Sequence, residues 1–115
     1  MPPPTQLAIA TSSVSRLLKE QASYHKELVD QEAQIAQQEK SIKAGGADED
    51  GNAEFMLKQS KTAVEQTKAV FGPLKQRIGE AVVKLEDQIA LAEEAGGAEG
   101  LENAKKVLGE AKAAS

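Results

Sequence analysis

Few side chains in this sequence are equipped for catalysis or metal binding. Its one histidine, His25, stands between Tyr24 and Lys26 at an e position of a charge-rich helix, and reads as a solvent-facing side chain. A metal site would need companions, such as a second histidine at helical spacing. There are no cysteines, so neither a disulfide nor a thiolate zinc site can form, which fits a reducing compartment. Ser12, Ser13 and Ser15 lack the neighbouring base that would make any of them a nucleophile. The acidic turn Asp48-Glu49-Asp50-Gly51 looks faintly like a calcium loop. An EF-hand needs glycine at its sixth position and a carboxylate at its twelfth, whereas counting from Asp48 those places hold Ala53 and Gln59. Gly96, Gly97 and Gly100 follow no strand and precede no Gly-Lys-Ser/Thr, so they are turn and cap residues rather than a phosphate loop. No enzyme activity, metal or cofactor is expected.

What remains is charge. Arg16, Lys19, Ser23, Lys26 and Asp30 recur at the outermost positions of a long helical pattern, with Glu20, Glu27 and Glu32 flanking its apolar seam. Such a face is usually only solvated, its ion pairs contributing a few tenths of a kcal/mol each. It can equally dock a large charged protein. Broad nucleic-acid binding is disfavoured by the formal net charge of −4, because neutralising phosphates requires clustered Lys and Arg.

The element that presents this face is a heptad-patterned helix. Val14, Gln21, Leu28, Ile35 and Ile42 stand at a positions, and Leu17, Tyr24, Gln31 and Gln38 at d. That stripe is too narrow for a sheet and too polar for a membrane; it requires another helix. Helix 1 is expected over about 5–43, after a proline lead-in (Pro2, Pro3, Pro4) and a Thr5 cap, a rod of nearly 60 Å. Gly45 and Gly46 suit a left-handed cap, and Asp48 to Asn52 a turn.

Helix 2, about 52–94, continues with Leu57, Val64, Phe71, Ile78, Leu85 and Ala92 at a, and Ser60, Thr67, Leu74, Ala81 and Gln88 at d. Pro73 removes a hydrogen bond to Ala69 at a cost of about 3 kcal/mol. The heptad phase passes it unbroken, so a kink rather than a break is expected. After Ala95-Gly96-Gly97 a short helix 3, about 98–113, sets Leu101, Ala104, Val107, Leu108 and Ala111 on one face.

Two short turns between helices predict an all-α, antiparallel three-helix bundle with spectrin-like, coiled-coil packing. Matching heptads puts Ile42 near Leu57, Ile35 near Val64 and Leu28 near Phe71. Helix 3 covers one end of the helix 1–helix 2 pair, leaving the hairpin from Leu28 to Ile42 and Leu57 to Val64 with part of its seam exposed. Hydrophobic residues make up 40% of the 115 residues but include only two Phe, one Tyr and no Trp, material for a narrow seam and thin for a large core. One domain over 1–115 is expected. No basic start precedes a long apolar run at the N-terminus and no membrane-length apolar segment occurs, so a cytosolic location is expected.

The residues of helix 1 also carry a family likeness. Val14, Arg16, Leu17, Lys19 and Glu20, then Tyr24, Lys26 and Glu27, then Gln31, Glu32 and Ile35 closely resemble the tubulin-binding cofactor A family. In helix 2 the likeness continues through Leu57, Lys58, Gln59, Glu65 and the mid-helix Pro73; in alanine-rich helix 3 it is weak. The glycine-rich first turn and the Gly72-Pro73-Leu74 triplet depart from the family's form.

The resemblance implies a monomeric or homodimeric three-helix bundle, cytoplasmic and cytoskeleton-associated, that binds β-tubulin after its release from the cytosolic chaperonin. It would hold β-tubulin in a quasi-native state and pass it toward α/β heterodimer assembly, alongside other tubulin-folding cofactors, without nucleotide or catalysis. On that basis β-tubulin is expected on the helix 1 face of Arg16, Lys19, Glu20, Ser23, Tyr24, Lys26, Glu27 and Asp30, with Tyr24 also packing at the seam edge. Two alternatives stay open at this level. One is a coiled-coil oligomerisation or scaffold module pairing through Leu28, Ile35, Ile42 and Val64, and the other an acidic chaperone for a different client.

Overall fold

A computed structural model describes residues 4–45 and 51–114. The leading Pro2 and Pro3, the expected cap residue Gly46 and the acidic turn from Asp48 to Asp50 lie outside them. Among the described residues every regular element is a helix: α1 (Gln6–Lys43), α2 (Asn52–Glu94) and α3 (Leu101–Ala114).

The helix ends follow from local chemistry. The Thr5 hydroxyl oxygen accepts the Ala8 N–H at 3.1 Å, satisfying one of the donors that a helix start leaves unpaired. At the other end of α1, Gly45 takes φ +75° and its N–H reaches the Ile42 carbonyl at 3.1 Å. Helix α2 closes in a Schellman motif: the Gly97 N–H bonds to the Ala92 carbonyl (2.8 Å) and the Gly96 N–H to the Glu93 carbonyl (3.1 Å). Gly100, at φ +86°, cannot be helical, and its carbonyl accepts the first bond of α3 from Ala104 at 2.9 Å. This is why α3 begins at Leu101, about three residues later than its composition suggests.

Helix α2 runs without a break through Pro73, which is exposed. An outward-facing proline costs a hydrogen bond without placing its ring in the seam.

The packing divides into two compact units, one of Met1–Gln21 with Pro73–Ser115, the other Ala22–Gly72. The first is a three-helix bundle. Its core joins Leu7, Ala10 and Val14 of α1, Leu85, Ile89 and Ala92 of α2, and Ala104, Val107 and Ala111 of α3. Val14 and Leu85 are 0% exposed, and burying each contributes roughly 2 kcal/mol. Two neighbouring helices require a broad apolar face, and α1 accordingly buries Leu7, Ala10, Thr11, Val14 and Leu17 here. Buried Thr11 donates its hydroxyl to the Leu7 carbonyl at 2.7 Å. Lys105–Glu93 (3.0 Å) and Lys112–Glu86 (3.7 Å) tie α3 to α2: one heptad back along α2 is one heptad forward along α3, so the two are antiparallel. At 14 residues α3 is too short to be a stable helix alone and depends on this packing.

The second unit is a two-helix hairpin. Here α1 has one neighbour, and its half-buried residues reduce to the a and d positions Tyr24, Leu28, Gln31, Ile35, Gln38 and Ile42. Facing them, Val64 and Thr67 of α2 are buried while Leu57, Ser60 and Phe71 are half-buried. The amide oxygens of Gln31 and Gln38 are buried without a hydrogen-bond partner, which makes this seam costly to close. Ile35 and Val64 line the same groove, in the layer expected of them. The ring contacts of Phe71 fall one turn before Leu28, on Tyr24 (6.4 Å, edge-on) and His25 (4.5 Å, stacked).

Candidate partner-binding surface

Among the described residues no group of three His, Asp or Glu side chains could hold a metal ion, and no helix is long and apolar enough to cross a membrane. The chemistry on offer is that of helix faces.

In the three-helix unit, Arg16 and Lys19 are exposed. Glu20 is half-buried and stands 3.6 Å from the Arg77 guanidinium of α2. Both residues occupy g positions of their heptads, just as Glu39 and Lys61 of the hairpin, 3.7 Å apart, both occupy e positions. Antiparallel helices bring like-lettered flanks together, and e and g are where interhelical ion pairs form. Glu20 therefore joins α1 to α2 as well as facing solvent. Arg16, Leu17 and Glu20 line an open groove of about 720 Å³ with Arg77, Ala81 and Lys84 of α2. On the α3 side, Arg16 and Lys19 line another, of about 470 Å³, with Asn103 and Lys106.

In the hairpin unit, Ser23, Lys26, Glu27 and Asp30 are exposed. Ser23, Lys26 and Asp30 stand at c and f positions, the outer side of the heptad, and Lys26, Glu27 and Asp30 have no ion-pair partner among the described residues. Tyr24 is half-buried with its ring edge-on to Phe71, so packing is one of its roles. His25 is exposed, as its e position implies, yet its ring lies on Phe71 with an interplanar angle of 30°. Val64 is only 5% exposed, so one of the four residues on which a scaffold would pair its copies is already buried within its own hairpin.

Sequence reasoning does not single out Arg77, Lys84 or Lys106 as lining residues. Arg77 was within reach of the heptad pattern, through the g–g rule for antiparallel pairs. Lys106 was not: α3 is too short for its sequence to set its rotation against α1.

A family model described as tubulin binding cofactor A matches residues 2–108. Among solved structures, the crystal structure of tubulin folding cofactor A from Arabidopsis thaliana is similar, with 30% sequence identity, a TM-score of 0.72 and coverage of 92% of this chain and 92% of that one. Comparison with curated protein sequences gives no significant match.

Proposed function

The chain belongs to the tubulin binding cofactor A family, a family of chaperone-type tubulin-folding cofactors rather than enzymes, and we propose that it binds β-tubulin newly released from the cytosolic chaperonin. In this reading residues 1–115 act as one cofactor domain in the cytoplasm, associated with the cytoskeleton. The protein holds β-tubulin in a quasi-native state and hands it on, with other tubulin-folding cofactors, toward the α/β heterodimer. The observation that carries the reading is the family match over residues 2–108. The likeness to the Arabidopsis folding cofactor over 92% of both chains supports it.

The work asked of such a cofactor is binding, and exposed charge on rigid helices is suited to it. Within each unit, helix positions hold neighbouring side chains in fixed relation to one another, so each part of the surface is organised before the client arrives and little ordering entropy is lost there on docking. We place β-tubulin on α1, on Arg16, Lys19, Glu20, Ser23, Tyr24, Lys26, Glu27 and Asp30. The exposed bases steer an acidic client locally although the whole chain is itself acidic, because screening limits the repulsion from distant charge to about 10 Å.

Charge reversal tests this face. The double variant Lys19→Glu/Lys26→Glu changes two exposed f positions and should keep its helicity by circular dichroism. Its complex with chaperonin-released β-tubulin should weaken by about tenfold or more, since each reversal replaces attractions of about 1 kcal/mol by repulsions. Unchanged affinity in a folded double variant would remove this face from the account.

A further inference from the structure

The junctions that α3 makes with its two neighbours carry different charge patterns. Toward α2 its lysines are answered by acids: Lys105 by Glu93 and Lys112 by Glu86. Toward α1 they are not. Lys106 shares a groove of about 470 Å³ with Arg16 and Lys19 of α1, and the one acid lining it is Glu110. None of these four has an ion-pair partner among the described residues. Three cations thus line one concave surface with a single anion, in a chain whose net charge is −4. Asn103 and Ser15 line the same groove and add an amide and a hydroxyl that can donate hydrogen bonds.

Like charges brought to one groove raise the energy of the free protein and are relieved when an anion enters. We propose that the α1–α3 groove of the three-helix unit is a docking site for an extended acidic peptide segment of the client, its carboxylates meeting Arg16, Lys19 and Lys106. The inference deepens the reading above and rests on it for the identity of the client; the charge pattern stands independently of that identity. A carboxylate-bearing chain fits better than a nucleic acid. The groove has no aromatic residue on which a base could stack, and a long polyanion would meet the acidic remainder of the molecule. A short acidic segment needs only the local field.

The test is a fluorescence-anisotropy titration of the full chain with a labelled deca-glutamate peptide at low and at physiological salt, run beside an oligothymidylate of equal length. Binding of the peptide, weakened by salt, is expected. Lys106→Glu should weaken it about tenfold, and Glu110→Lys should tighten it several-fold. Both residues are exposed, and the second variant is a gain that misfolding cannot mimic. Absence of peptide binding, indifference to both substitutions, or equal or tighter binding of the oligothymidylate would overturn the proposal. Measuring the β-tubulin complex in parallel separates the two readings. A β-tubulin complex without peptide binding sinks the groove alone, and peptide binding without a β-tubulin complex sinks the client alone.

Discussion

Phe71 shows how a half-buried side chain can anchor a thin seam. It is one of two phenylalanines in the chain, and its ring meets Tyr24 edge-on and His25 face to face, arrangements that the charge distribution of aromatic rings favours. The neighbouring seam offers less: Gln31 and Gln38 occupy d positions, each with a buried amide oxygen and no partner. Phe71→Ala should therefore cost about 2 kcal/mol, combining lost apolar burial with the two ring contacts. Urea denaturation followed by circular dichroism would register it, and a loss below about 0.5 kcal/mol would show that the aromatic contacts contribute little. The burial of Phe71 was legible from its a position. Its partners were not, because heptad matching pairs layers and does not resolve one turn, and the ring of an e-position histidine has reach that periodicity ignores.

At the scale of elements, the heptads of α1 and α2 were readable almost residue by residue, because one apolar stripe repeating every seven residues admits few arrangements. Leu28, Ile35 and Ile42 lie half-buried and Val14 fully buried, as their shared phase requires. The start of α3 was less readable. Its composition favours helix from Ala98, and only the left-handed backbone at Gly100 delays it. Pro73 is the clearest case of pattern outweighing propensity, since α2 passes through it unbroken. Because Pro73 is exposed and within a helix, Pro73→Ala should restore the bond to the Ala69 carbonyl and raise stability by about 1–3 kcal/mol. The same urea experiment checks this. A loss of stability would mean instead that the proline sets a backbone geometry on which the burial of Leu74, 2% exposed, depends.

For the molecule as a whole, composition already excluded a large core, and the deepest burial is concentrated where three helices meet: the nine-residue cluster from Leu7 to Ala111 belongs to the three-helix unit. The hairpin unit, with one neighbour per helix and amides in its seam, buries less. The surface for a partner was legible only in part. Exposure at Arg16, Lys19, Ser23, Lys26, Glu27 and Asp30 follows from the heptad, whereas the grooves beside Arg16 depend on how neighbouring helices are rotated, which the two turns between the helices do not encode. The central claim, that this helical protein takes β-tubulin as its client, is tested most directly by native size-exclusion chromatography of the purified chain with β-tubulin newly released from chaperonin. Co-elution as a one-to-one complex, with assembled α/β heterodimer left unbound, is the predicted result. A folded, helical protein that elutes alone beside free β-tubulin would contradict it.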